Sequence, residues 1–287
     1  MEGLLARLAA GVFTVLLAFM GLCGAGHAQA QADSPYQRAQ HLPWHTAPAV
    51  LHIKSVALLD PGPDLKFLDP DATSTLLVIS GNLPSNGEYA VAPKDLAWWS
   101  LFSYEATGHI KDDETLDPNA LLATLKRHNR EEQEERRKAG LPELVLEGWS
   151  VPPHYDPVTH NLEWGTRLIS EGRPTINYTV RILGRVGIVN AQLVTDPRDF
   201  DSDLEAFRSA LRRVSFVQGQ RYAEFRQGDK MAAYGLGALI VGGAAAATAS
   251  SGALKAFVKV IALGVMGALA AVGGFFKHRF GRKTPRA

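Results

Sequence analysis

Apolar residues are distributed along this chain in two different ways. At the ends they form long unbroken runs: residues 8–22 near the amino terminus, then 234–249 and 260–276 near the carboxyl terminus. In between they recur with short periods, as in structures with one buried face. Leu162, Trp164, Thr166 and Leu168 alternate with polar neighbours, as do Ile176, Tyr178, Val180 and Ile182, and then Val189, Ala191 and Leu193. Period-two alternation predicts three strands. The short links at 171–174 and 184–187, each holding glycine, predict an antiparallel meander. Residues 96–104 are apolar on both faces, with Trp98, Phe102 and Tyr104 on one side and Trp99 and Leu101 on the other. That predicts a central, covered strand. The β-branched run 75–80 also reads as a strand, followed by a turn at 82–87.

Two helices complete the middle region. Asp117 is a good N-cap with Pro118 at the first helical position, and Gly140 and Pro142 end the helix. Leu121, Leu122 and Leu125 form its apolar face. Its far half is a charge run with Glu132–Arg136 and Glu134–Lys138 at i,i+4. A second helix is predicted from a capping box of Ser202 and Glu205, with Leu204, Phe207, Leu211 and Val214 at helical spacing. Residues 31–50, with three prolines among polar residues, read as a linker or arm. The fold class is α+β: an antiparallel sheet over residues 51–230 with helices packed on it.

The terminal runs change the picture from a soluble domain to an anchored one. Arg7, the run 8–22 and the small residues of Gly26-His27-Ala28 or Ala28-Gln29-Ala30 match a signal peptide over residues 1–30. Residues 231–276 read as an apolar anchor of one or two membrane helices, with the lipid bilayer as partner. If only 260–276 spans, the basic tail 277–287 lies in the cytoplasm, as the positive-inside rule favours. If both runs span as a hairpin, the tail returns outside. Arg221, Tyr222, Arg226 and Lys230 before the run suit the lipid headgroups, as do Lys255, Lys259, Lys277, Arg279, Arg282 and Lys283. Gly264 with Ala268 and Gly267 with Ala271 would let membrane helices pair into a homo-oligomer.

Net charge is +1, and the middle region has no Lys/Arg cluster with interleaved aromatics, so nucleic acid is not expected as a partner. The one cysteine, Cys23, lies in the leader, which removes disulfides and thiol chemistry from the processed chain. No P-loop, Rossmann or G-x-S-x-G signature occurs, and no cofactor is expected. Two polar clusters remain. His154, Asp156 and His160 share one loop, a spacing that would suit a divalent metal; Asp156-Pro157 is also an ordinary turn starter. Asp112, Asp113 and Glu114 gather three carboxylates that would hold a cation, or favour the helix that follows. Trp98, Trp99, Trp149 and Trp164 read as core at strand spacing, with a glycan or lipid groove as the other reading.

Several stretches carry a resemblance when taken in order: Gly108-His109-Ile110-Lys111-Asp112-Asp113-Glu114, Gly148-Trp149 with Pro152-Pro153-His154-Tyr155-Asp156-Pro157, Asn177-Tyr178 with Arg181-Ile182-Leu183-Gly184-Arg185, and Gly219-Gln220-Arg221-Tyr222 with Gly228-Asp229-Lys230. Together they resemble an uncharacterised family of membrane-anchored bacterial proteins known as domain of unknown function 2167. The element order is similar to the Mog1/PsbP-like sandwich. The resemblance implies a bacterial inner-membrane protein with its soluble domain in the periplasm, and supplies no reaction. The expectation is a non-enzymatic domain that binds another envelope protein or envelope component. The alternative is a metal-dependent hydrolase using His154, Asp156 and His160.

Overall fold

In this computed structural model of the protein, the residues described are 33–242 except 81, 83 and 139. The leader at 1–30, most of the anchor including Lys255 and Lys259, and the tail with Lys277, Arg279, Arg282 and Lys283 lie outside them. Among the described residues no helix is long and apolar enough to cross a membrane.

The elements run in the order α1 (Pro35–Gln40), β1 (His45–Thr46), β2 (Leu51–Ile53), β3 (Ala57–Leu59), β4 (Leu65–Phe67), α2 (Pro70–Ile79), β5 (Tyr89–Pro93), β6 (Trp99–Glu105), α3 (Pro118–Lys138), β7 (Val145–Asp156), β8 (Asn161–Ser170), β9 (Arg173–Leu183), β10 (Ile188–Thr195), α4 (Phe200–Leu211), β11 (Val214–Phe216) and α5 (Leu236–Val241). Eight strands form one sheet in the order β1-β4-β5-β6-β10-β9-β8-β7, and β11-β3-β2 form a second. Every pairing is antiparallel. The predicted meander is β8-β9-β10. Its first turn is two residues long, and Glu171 and Gly172 both have positive φ (51° and 74°), the backbone of a tight hairpin turn.

Strand alternation sends side chains to two different cores. On one face, Phe102, Tyr178, Val180, Val189, Ala191 and Leu193 pack with the second sheet and with Leu204, Phe207 and Ala210 of α4. The opposite face carries two separate clusters. Leu76 and Leu77 of α2 cover Ala90, Ala92, Trp99 and Leu101 of β5 and β6. Leu125 of α3 and Leu236, Leu239 and Ile240 of α5 cover Leu162, Trp164, Leu168 and Leu183 of β8 and β9. Helices therefore sit on both faces, and Trp98, Trp99 and Trp164 are core residues, at 4–5 % exposure.

Four local expectations are corrected. Residues 75–80 are not a strand but the second half of α2. Asp69 caps that helix by accepting from Ala72 N at 2.9 Å, and Pro70 starts it. The buried residues Thr73, Leu76 and Leu77 have helical spacing, so the cap and the apolar face outweigh the β-branched preference. Residues 33–50 are not a bare arm: Ser34 and Gln37 form a capping box for α1, and Ala39, Leu42 and Trp44 pack in the α2 cluster. Helix α4 starts at Phe200 instead of at a Ser202 cap, and the Ser202 hydroxyl donates back to the Asp199 carbonyl. Finally, α5 lies within the first carboxyl-terminal apolar run, and its leucines belong to the domain core.

Helix α3 runs as expected, with Asp117 accepting from Asn119 N and Ala120 N. Burial pushes the Glu132 carboxyl up to about 7, although Arg136 opposes the shift. A group whose folded pKa is raised keeps its proton longer in the folded than in the unfolded chain. Its contribution to stability therefore falls as pH rises from about 4.5 to about 7. Glu132→Gln should flatten that slope and raise stability above pH 7 by about 2 kcal/mol. Denaturant melts at pH 5 and pH 8 would check this; an equal response of both proteins to pH would refute it.

Candidate functional site

The β7–β8 hairpin carries the expected histidine loop. In the hairpin His154 pairs with Glu163, Tyr155 with Leu162 and Asp156 with Asn161. The Asp156 carboxylate closes the turn, accepting from Val158 N at 2.9 Å and from the Thr159 hydroxyl at 2.8 Å. Those hydrogen bonds hold the carboxyl below the ordinary carboxylate range. Alternation separates the two imidazoles. His154 faces Glu163, at 3.8 Å. His160 contacts Tyr155, one residue along from His154 and so on the other side of the hairpin. Among the described residues no three His, Cys, Asp or Glu side chains are placed to hold a metal ion.

His160 instead belongs to a cluster joining all three regions singled out in the sequence. The Tyr155 hydroxyl donates to Asp112 Oδ2 at 2.8 Å and lies 2.9 Å from His160 Nδ1. A phenol has one hydrogen, so with Tyr155 donating to the carboxylate, His160 Nδ1 donates to the phenol oxygen. The result is a chain from imidazole to phenol to carboxylate. Burial works against charge on Asp112, but the hydrogen bond from Tyr155 and the nearby His160 oppose it, and the carboxyl is held below its ordinary range. Burial and that carboxylate push both phenols well above the ordinary tyrosine range. The phenols are thus held as hydrogen-bond donors and away from the phenolate form.

Tyr222 is the centre of the cluster. Its ring lies against His160 at 4.3 Å and stacks on His109 at 4.5 Å, and His109 packs in turn against Phe225 at 4.3 Å. The Tyr222 hydroxyl donates to the Ile110 carbonyl at 2.8 Å. His109 Nδ1 donates to the Arg185 carbonyl, 3.0 Å away. The main chain adds a second tie: His109 N donates to Lys230 O at 2.7 Å, and Ala232 N donates to His109 O at 2.9 Å. This approach requires Gly108, with φ of 92°; a Cβ there would lie 2.8 Å from Lys230 O and Met231 C. Arg185 and Asp229 close the assembly through two hydrogen bonds of 2.7 and 2.6 Å, and the arginine holds the Asp229 carboxyl down to about 2.

The other expected residues divide. Asp113 is exposed. Glu114 accepts from Gly237 N at 3.1 Å, at the start of α5. The acidic trio therefore serves separate partners. Arg221, Arg226 and Lys230 are exposed. Among the described large apolar residues, Phe225 and Met231 are also exposed, at 40 % and 39 %. Sequence reading missed His109 and Tyr155 as partners, although both lie in the motifs singled out.

A second polar network sits on the opposite face of the hairpin. Tyr178 donates to Glu163, Arg208 Nη2 donates to the Tyr178 hydroxyl at 3.0 Å, and Arg208 lies 3.6 Å from Glu163. It ties α4 to the sheet.

A family described as "Protein of unknown function (DUF2167)" matches residues 46–273. No curated protein matches the chain. Two solved structures are similar in part. The solution structure of cyanobacterial PsbP (CyanoP) from Synechocystis sp. PCC 6803 is 11 % identical, covers 60 % of this chain and 91 % of its own, and has a TM-score of 0.34. A protein of unknown function, PA94, from Pseudomonas aeruginosa is 16 % identical, covers 57 % and 92 %, and has a TM-score of 0.24. Likenesses this partial carry no functional conclusion.

Proposed function

The chain belongs to the DUF2167 family, and on that premise we propose that it is an anchored binding domain of the bacterial envelope, not an enzyme. Its α+β domain faces the periplasm and recognises another envelope protein or envelope component. The observation that carries this reading is the division of labour within residues 219–231. Tyr222, Asp229 and the main chain at Lys230 grip the domain, while Phe225, Met231, Arg221, Arg226 and Lys230 are left exposed beside the apolar run. Exposed aromatic, aliphatic and cationic side chains in that position suit a lipid headgroup layer. A clamped exit chain would fix the domain's orientation on the bilayer. The burial of Leu236, Leu239 and Ile240 in the domain favours a single span over 260–276, with the basic tail in the cytoplasm.

The metal-dependent hydrolase draws less support. His154 and His160 have separate partners, and Asp156 spends both oxygens on the turn.

The full-length protein expressed in bacteria should stay with the membrane after an alkaline wash. Protease added to spheroplasts should digest the β-rich domain, and photo-crosslinkers at exposed positions such as Val145 should give a discrete adduct with an envelope component. Recovery in the aqueous fraction, or protection of the domain in spheroplasts and digestion only after lysis, would overturn the reading.

A further inference from the structure

Residues 219–229 form a loop whose two ends are held by one side chain. Arg185 Nη1 donates to Gly219 O at 3.2 Å, while Arg185 Nε and Nη2 donate to the two Asp229 oxygens at 2.7 and 2.6 Å. Arg185 N also donates to Gln220 O at 2.9 Å. Within the loop, a single helical turn at Tyr222–Glu224 and a second turn at 226–229 shorten the path. Asp229 N closes the second turn by donating to Arg226 O at 3.0 Å. Tyr222 and Asp229 are used on the domain, so the remaining side chains are displayed on one compact loop.

The carboxylates of this loop are spent and its cations are not. Glu224 Oε2 accepts from Arg221 N at 2.8 Å. Asp229 takes the Arg185 pair and also accepts from Arg226 N at 2.7 Å. Arg221, Arg226 and the following Lys230 are exposed, and their side chains form no ion pair among the described residues. With Arg185, this assembly holds four cations and two carboxylates, a net charge of +2. Exposed Asp113, which acts on Tyr222 through space, is offset by exposed Lys111 two residues before it. Phe225 and Met231 are two of the six large apolar residues exposed among the described residues, and Phe225 is the one aromatic of the six. Apolar side chains left in water beside unspent cations mark an interaction surface.

That combination selects the occupant. A free phosphate or a purely acidic segment would leave Phe225 and Met231 in water. A bilayer with anionic headgroups meets both needs, its phosphates facing the cations and its acyl boundary the apolar side chains. The chain also leaves this loop toward the apolar runs at 234–249 and 260–276. We propose that residues 219–231 dock on anionic phospholipid in the membrane that holds the anchor, so that the charge of the bilayer surface sets how firmly the domain is held against it. The proposal rests on the anchored reading and adds a lipid class to it. Each basic group near an anionic surface favours docking about fivefold, so a net charge of +2 gives about 30-fold over a neutral bilayer.

The test places full-length protein in bilayer discs of phosphatidylcholine, with or without about 30 % phosphatidylglycerol. Cys23→Ser with Gln227→Cys puts a single thiol at the centre of the 226–229 turn. A dye on that thiol reports access through quenching by acrylamide, which is neutral. In the anionic discs quenching should fall at least about fivefold, and about 0.5 M salt should restore it. Arg221→Gln combined with Arg226→Gln and Lys230→Gln should be quenched alike in both discs while melting like the parent. Arg226→Lys, which keeps the charge, should dock like the parent. The proposal fails if the parent is quenched alike in both discs, if salt has no effect, or if the triple variant keeps the difference. It also fails if polyglutamate reproduces the protection in neutral discs, which would assign the loop to an acidic protein. Protein that enters both discs yet fails these arms leaves the anchored reading standing, whereas protein that enters neither disc overturns both.

Discussion

Tyr222→Ala should free the chain between Gly219 and Met231 from the domain. The substitution removes two ring contacts, to His109 and His160, and leaves the Ile110 carbonyl without its phenol donor. Ring contacts contribute about 0.5–1.5 kcal/mol each beyond burial, and a lost hydrogen bond about 1 kcal/mol. With the lost burial of the ring, the clamp should weaken by about 3–4 kcal/mol. Local opening exposes cleavable bonds in proportion to its equilibrium constant. Trypsin should therefore cut at Arg221, Arg226 or Lys230 about 150- to 900-fold faster than in the unaltered protein. Tyr222→Phe keeps the stack and should lose only about 1 kcal/mol. If the alanine variant were cut no faster than the parent, the ring stack would not be what holds this segment.

Phe207→Ala should be the most damaging single change to the domain itself. Phe207 is fully buried where α4 meets the large sheet, with ring centroids 6.2 Å from both Trp98 and Phe102. Truncating such a residue costs about 3–5 kcal/mol, through lost transfer energy and the cavity left behind. For a domain of this size that corresponds to a fall of roughly 10 °C or more in melting temperature. Phe225→Ala, at a residue 40 % exposed, loses only its ring contact with His109 and should lower the melt by no more than about 1–3 °C. Comparable melts for Phe207→Ala and Phe225→Ala would mean that α4 is not part of the cooperative core.

Local chemistry explains which elements could be read directly. The meander β8-β9-β10 was legible because period-two alternation and a two-residue positive-φ turn leave a strand pair few other registers. Helix α3 was legible from Asp117-Pro118 and the stop at Gly140 and Pro142. The same Asp-Pro start, at Asp69-Pro70, opens α2, although the β-branched residues that follow favour a strand when read alone. Three-residue strands such as β2, β3, β4 and β11 carry no usable period and exist because the ladder of a second strand holds them.

The site was legible as residues but not as a site. Motif reading drew attention to Asp112, His160 and Tyr222, each for a different reason: a cation cluster, a metal loop and a headgroup anchor. Their actual partnership needs a hairpin end, a loop before α3 and the segment after β11 to meet, across separations of 48 and 62 residues along the chain. No periodicity encodes such a meeting. It depends on the close backbone approach that Gly108 permits and on the Arg185–Asp229 pair.

Composition and local spacing determined what depends on near neighbours in the chain: an α+β domain with an antiparallel meander, the charged end of α3 and the place where apolar runs begin. The tertiary structure decided what depends on distant residues coming together. It turned α2 into a helix, drew α5 into the core, separated His154 from His160 and joined His160, Tyr155 and Asp112 to Tyr222. The physical reason is range: turn, cap and alternation energies act over a few residues, whereas burial and buried hydrogen bonds are set by whichever surfaces the whole chain brings into contact.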